Sequence, residues 1–302
     1  MKFSVWPNMS RTPAEVLDTA RWAEANGWHG VWYADHYMPN SGSEAVAAGD
    51  AHECWAMLPA IAAVTARVRV GSLVAPTSVH HPAVLANRAC TIDHISDGRM
   101  VLGIGAGWQI NEHHAYGIEL EAPKQRVDRF EEAIQVIRSL LADERTTFDG
   151  SIYTITDAPA DPRPIQDPLP LLVGTGGARM LRITARHADE WNTWGSVAMA
   201  TSRRDDFVTA CESVGRDPDT MSTSVQALVF VTESDADAEG IRTSSLGERS
   251  IAGTVDRVVD EIGQIAALGF DEFIVPDFNL GPGSDERREQ LERIHTEVVA
   301  QL

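Results

Sequence analysis

The stretch Val101-Leu-Gly-Ile-Gly-Ala-Gly-Trp108, continued by Gln109-Ile-Asn-Glu112, decides the reading of this chain. An apolar run enters three glycines at alternate positions, and the chain then turns polar. Without a Cβ, a glycine backbone approaches a flat ring or a phosphate closely and takes φ > 0 without strain. The spacing is not that of a dinucleotide fingerprint, which needs G-x-G-x-x-G opening a helix. Here the third glycine, Gly107, comes one place early and Trp108 follows. Taken alone, the segment reads equally well as a tight strand-to-helix turn, so the flanking chain has to decide.

Outward from this segment, apolar β-rich runs alternate with amphipathic helical patterns. The strand candidates are 3–6, 29–33, 68–74, 100–104, 171–173, 190–193, 224–231 and 272–275. The clearest helix covers 127–141, where Val127, Phe130, Ile134, Ile137 and Leu141 fall on one face. Thr12-Pro13 opens the first helix with a cap and a proline at its first position, and Thr254 is expected to cap another over 255–268. Strands apolar on both faces and separated by helices imply a parallel sheet covered by helices. Eight such units in 302 residues predict an α/β fold, a closed (β/α)8 TIM barrel forming one domain over 1–302. Two stretches break the alternation: a β-hairpin insertion at about 145–157, centred on Asp149-Gly150, and a polar loop insertion at about 234–250.

Composition narrows the function. A net charge of −19, from 44 acidic and 25 basic residues, repels nucleic acid. Three dispersed cysteines, Cys54, Cys90 and Cys211, provide neither a disulfide framework nor a metal knuckle, and they point to a reducing, cytoplasmic setting. No apolar run is long enough for a membrane span or a signal peptide. His80-His81 and His113-His114 lack partners at helical metal-site spacing, so no metal site is expected. Neither G-x-S-x-G nor a Walker motif is present.

A barrel of this kind binds ligands at the carboxyl ends of its strands. Polar and glycine residues collect at those ends: Ala34-Asp35-His36, Ser72–Pro76 with His80-His81-Pro82, the glycine run, Gly174-Thr-Gly-Gly177, and Asn192-Thr-Trp194. His36 follows a core strand, and histidine is the residue type suited to acid–base work near neutrality, which makes it the candidate for proton transfer.

With these segments in view, the chain resembles the luciferase-like monooxygenase family of flavin and deazaflavin enzymes over about residues 1–300. The resemblance is carried by Gly30-Val-Trp-Tyr-Ala-Asp-His36, Pro82–Ala86, Asp93-His-Ile-Ser-Asp-Gly-Arg99, Gly103–Gly107, Leu172-Val-Gly-Thr-Gly-Gly177 and Ile251–Thr254. Asp35-His36 and the run through Asn111-Glu112 are similar to the branch that uses coenzyme F420, a 5-deazaflavin. The resemblance implies a homodimeric barrel with a small-molecule substrate and F420, or alternatively FMN, at its mouth. It implies ring contacts from Asp35, Ser72, Leu73, Ala75, Ala106, Gly107, Asn111 and Asn192, with a non-prolyl cis peptide at Ser72–Leu73. Gly174, Thr175, Gly176 and Gly177 would cradle a phosphate with Arg179 nearby, and His52, His81, Trp108 and Trp194 would line the substrate side. The family's sugar-phosphate dehydrogenases place a glutamate where this chain has Trp108, and they hold the substrate phosphate with lysines. The two lysines here, Lys2 and Lys124, do not match, which argues against a sugar phosphate and for a more apolar or planar substrate. Two other readings stand beside the deazaflavin oxidoreductase: an FMN enzyme that uses oxygen, and a non-catalytic flavin-binding protein.

Overall fold

The computed structural model describes residues 1–302. Eight parallel strands form the barrel: β1 (Lys2–Trp6), β2 (Gly30–Tyr33), β3 (Arg69–Ser72), β5 (Met100–Gly105), β8 (Leu171–Gly174), β9 (Glu190–Trp194), β10 (Ser222–Gln226) and β13 (Glu272–Pro276). Each pairs with the next in this order, and β13 returns to β1 with Lys2 opposite Glu272 and Trp6 opposite Pro276. All six residues of β5 are buried, as a strand needs when helices cover its outer face and the barrel fills its inner one. The outer layer includes α1 (Pro13–Ala25), α2 (Cys54–Val64), α3 (Pro82–Ser96), α5 (Pro123–Ala142), α6 (Ala178–His187), α7 (Val197–Ser213), α9 (Val255–Ala267) and α10 (Ser284–Arg293). The short α4 (Ile110–Tyr116) lies between the glycine run and α5.

The interior is a packed pillar. Trp6, Trp32, Ala34, Leu73, Val101, Leu172 and Ile274 form their own buried cluster, separate from the core beneath the helices. Polar groups pack below it: Trp32 Nε1 donates to Glu272 Oε1 at 2.7 Å, and Arg69 pairs with Glu190 and lies 3.9 Å from Glu272. Burial pushes the Glu272 carboxyl above its ordinary range. No helix is long and apolar enough to cross a membrane.

Several local features depart from the expectation. The third barrel strand ends at Ser72, and the chain resumes as β4 (Ala75–Pro76) beside β5. The non-prolyl cis bond is Leu73–Val74, one bond later than expected. Leu73 still donates its backbone N–H to Tyr33 O at 2.8 Å and packs inside the barrel, so the inward alternation runs through Leu73 before the chain departs. The run 224–231 is two strands; β11 (Leu228–Val231) leaves the barrel and pairs with β12 (Ser250–Gly253). The stretch 234–250, expected as loop, holds α8 (Asp235–Arg242). Its signal is chemical, not periodic: Ser234 caps the Asp237 N–H and two aspartates occupy the first turn, while eight residues are too few to display a period. Thr254 stands at the head of α9, but its side chain makes no capping bond. β6 (Arg145–Asp149) and β7 (Thr154–Pro159) form the antiparallel hairpin.

Candidate active site

The mouth of the barrel is organised around the exit of β2. Asp35 is fully buried, and its Oδ2 accepts from Trp55 Nε1 at 2.9 Å and pairs with His80 Nε2 at 2.7 Å. Its other oxygen, Oδ1, is buried without a partner. His36 turns the opposite way, as neighbours on an extended chain do, and its Nδ1 lies 2.9 Å from Glu112 Oε1. Glu112 is buried on α4 and also accepts the Tyr37 N–H on Oε2 at 2.9 Å, which fixes the carboxylate behind the imidazole. Trp108 stands edge-on to the His36 ring, with centroids 5.5 Å apart, and is 57% exposed.

α4 is strapped to the loop that follows β2. Gln109 Nε2 donates to Met38 O at 2.9 Å and Asn111 Nδ2 to Pro39 O at 2.8 Å. Asn111 Oδ1, like Asp35 Oδ1 and Thr77 Oγ1, is buried and unpartnered. A buried polar atom without a partner costs free energy, so these three at the strand exits are candidates for contact with a ligand. Burial, together with Asp35, Glu53, Cys54 and Glu112, pushes the Tyr37 phenol well above its ordinary value, so it stays protonated. Burial does the same to the Cys54 thiol and leaves it inert.

The glycines make room for Val74. A Cβ at Gly105 would lie 2.9 Å from the Val74 side chain, and one at Gly174 would lie 3.0 Å from it. Val74 therefore crowns the pillar between β5 and β8, and beside it the Ser72 hydroxyl is committed to a bond with Gly103 O at 2.7 Å. Leu73 points down into the barrel and Ala75 is buried in β4, so at this exit the backbone and Val74 are what reach the mouth. Gly107 takes φ +90°, and a Cβ there would collide with Ser78 Oγ. Its glycine is thus required by the fold whatever binds above it. Ala106, half-buried, lies between Gly105 and Gly107.

On the opposite rim, Gly174–Gly177 lead into α6, which has no side-chain cap at Gly177. The Thr175 N–H donates to Asn192 O at 3.1 Å, and Thr175 O accepts from Trp191 Nε1 at 2.9 Å. Arg179, expected beside a phosphate, instead binds Asp128 and Glu131 on α5. The cation at this loop is Arg203 of α7, whose Nη1 donates to Gly176 O at 2.6 Å. Asn192 is buried and donates to Ser224 Oγ at 2.9 Å. Trp194 packs 5.6 Å from Trp6, beneath Arg249. His52 is half-buried, with its N–H bound to Met9 O. His81, expected to line the substrate side, is exposed: it caps α3 through its Nδ1 and sets its ring against Tyr153 of the hairpin. Its neighbour His80 takes the inward position, because adjacent side chains diverge.

Reading the sequence missed Glu112, His80 and Trp55 as site residues. Glu112 lies inside the glycine-run motif with no local signal of its partner, and of the histidine pair the sequence points to His81, not His80, as the one facing the substrate side. No cluster of His, Cys, Asp and Glu with metal-binding geometry is present.

Comparisons with known proteins bear on the family and the barrel. Residues 1–245 match the model of the luciferase-like monooxygenase family. An F420-dependent glucose-6-phosphate dehydrogenase of Kineococcus radiotolerans is 36% identical over 178 residues, 59% of this chain and 51% of the relative. The chain thus spans about half the length of that curated relative. The coenzyme F420-dependent tetrahydromethanopterin reductase of Methanopyrus kandleri superposes with a TM-score of 0.81 at 18% identity, covering 99% of each chain. The monooxygenase RslO1 of Streptomyces bottropensis gives 0.82 at 20% identity, covering 100% of this chain and 99% of its own. At such identities these two structures speak for the barrel alone. With its family model matched over most of its length, the chain belongs to the luciferase-like monooxygenase family.

Proposed function

We propose that this chain is a coenzyme F420-dependent oxidoreductase that moves a hydride between the deazaflavin and a small organic substrate. The observation that carries the reading is the pair at the β2 exit: a buried Asp35 with a free carboxylate oxygen, followed by His36 held on the buried Glu112. The relative named as an F420-dependent dehydrogenase supports the choice of cofactor. The residues present fit such a group. Asp35 Oδ1 and Asn111 Oδ1 are acceptors awaiting donors, and Gly105 and Gly174 leave the Val74 crown clear of side chains that would fill the seat.

When bound, a 5-deazaflavin supplies or accepts the hydride at the ring carbon that replaces flavin N5. The chain's own residues do the rest. Val74 and the backbone around it would support a flat ring, and Asp35 and Asn111 would hold it through their free acceptor oxygens. The N–H groups of Gly174–Gly177, with Arg203 behind them, suit a phosphate at the head of α6. His36 holds or releases one proton at its ring nitrogen as the substrate is reduced or oxidised, and Glu112 sets the ring's direction. Trp108 and Trp194 offer aromatic walls for the substrate. Lys124 is paired with Asp128, and Lys2 sits at the opposite end of the barrel at the start of β1, so neither lysine serves a sugar phosphate. The reading carries with it a cytoplasmic homodimer, which sedimentation would test.

The deciding experiment titrates the purified protein with F420 and with FMN side by side, followed by cofactor fluorescence. Binding of F420 at least about tenfold tighter than FMN supports hydride chemistry. The reverse order moves the protein to the oxygen-using flavin enzymes and overturns the proposal.

A further inference from the structure

Beside the mouth, with Trp108 in its wall and His36 outside it, a cleft of about 520 Å³ opens between α4 and the first turn of α5. Its size suits a small organic molecule. Trp108, Ile110, Ile118 and Leu120 form its apolar wall, and Trp108 and Ile110 are unusually exposed for their size. Arg126 stands within it and makes no ion pair. Its one bond is from Nη1 to Gly107 O, at 2.8 Å, which aims the guanidinium at the glycine run and leaves Nη2 without a partner. No lining carboxylate forms an ion pair with it, although Glu121 lies near enough for Arg126 to add to the lowering of its carboxyl. Glu121 is held by both terminal contacts of Arg129, at 2.6 and 2.8 Å, and is lowered from its ordinary range chiefly by that bond. Glu44 sits on the exposed loop 39–52. In a protein carrying a charge of −19, an arginine that makes no direct ion pair, set in an aromatic and aliphatic cleft, is a selective feature.

From this we infer that the cleft is a second substrate subsite, which takes a planar, apolar group bearing a carboxylate or a similar anion. The ring lies against Trp108, and the anion meets the free edge of the Arg126 guanidinium in a charge-assisted contact. Because Trp108 borders both spaces, a molecule anchored here extends its other end past the indole toward His36. The inference rests on reading the mouth as the reaction site, and it names the class of substrate: a flat organic acid whose reacting carbon lies remote from its acidic group.

The test uses the full chain without added cofactor, with 2-naphthoate and its neutral partner 2-naphthamide as probes, read by quenching of tryptophan fluorescence and by calorimetry. The expected result is naphthoate bound at least about tenfold more tightly than naphthamide. Arg126→Gln should abolish the preference, whereas Arg126→Lys keeps part of it. Ile110→Glu, an exposed change that leaves the Gly107 bond intact, should expel naphthoate about tenfold and leave naphthamide unaffected. That variant keeps the inference testable if loss of Arg126 disturbs the loop. Equal affinities for the two probes, or a preference that survives both Arg126→Gln and Ile110→Glu, would overturn the subsite. Repeating the titration with saturating F420 separates the sources of the anion. Retained binding supports a substrate subsite, and displacement assigns the cleft to the cofactor's own anionic chain and overturns the substrate claim. Failure of F420 to bind at all, with the naphthoate preference intact, would count against the oxidoreductase and not against the cleft.

Discussion

At the scale of single residues, the site is a set of carboxylates in different bonding states. Asp35 keeps one oxygen for the fold and one free, whereas Glu112 spends both, on Tyr37 and His36. This division predicts distinct phenotypes. His36→Ala should lower kcat by about 100-fold or more, the usual worth of a positioned acid–base group, and leave F420 affinity nearly unchanged. Turnover close to wild type would remove His36 from the mechanism. Glu112→Gln should cost about tenfold in kcat, yet little more when added to His36→Ala, because the carboxylate acts through the imidazole. Additive losses in that double-mutant cycle would give Glu112 a separate role. Asp35 and His36 were legible in the sequence because they sit in consecutive positions at a strand exit. Their partners Glu112 and His80 lie 76 and 45 positions from them, a separation that no local pattern reports.

At the scale of elements, the glycines at the mouth answer to different demands. At Gly103 a Cβ would fall on the Ser72 carbonyl, which the β3–β5 pairing holds in place. Gly103→Ala should therefore destabilise the barrel by about 3 kcal/mol, the upper range for an overpacked core, as measured by urea unfolding. Gly177 has nothing within 4 Å of its Cβ position and a φ of −83°. Gly177→Ala should leave the unfolding midpoint near wild type and weaken F420 binding, if backbone approach to a phosphate is its purpose. Unchanged binding would reduce this glycine to a helix start. The long amphipathic α5 and the proline-opened α1 were plain in the sequence, since period and cap chemistry are local. The short α8, and the departure of β11 from the barrel to pair with β12, were hidden. The helix is too brief to show a period, and strand pairing depends on which strand lies alongside.

At the scale of the molecule, the seam between β13 and β1 closes the barrel and joins the two ends of the chain. Asp277 sits at this seam, accepts the Asn8 N–H at 2.8 Å, and is pushed by burial from 3.8 up to about 6. The folded state therefore holds a proton that the unfolded state has already released. The stabilisation is full below about 3.8 and is lost as pH rises through about 6. His29 works in the opposite sense: burial, then Arg69 and Lys2, lower it from 6.5 to about 4, so its contribution is present above 6.5 and lost as pH falls through 4. Asp277→Asn should gain stability relative to wild type by about 2–3 kcal/mol between pH 4 and pH 7, read from denaturant midpoints. A difference that does not vary with pH would mean the carboxyl is solvated in the folded state. The sequence by itself determined the parallel α/β barrel and placed Asp35 and His36 at the exit of its second strand, because periodicity, caps and glycine spacing are properties of neighbouring residues. Only the tertiary structure decided that Glu112 backs His36, that His80 and not His81 faces inward, that Arg203 and not Arg179 bonds to the Gly174–Gly177 loop and that Arg126 makes no ion pair beside Trp108. Each of these depends on which distant segment burial brings within hydrogen-bonding reach, and closure of the sheet sets that geometry.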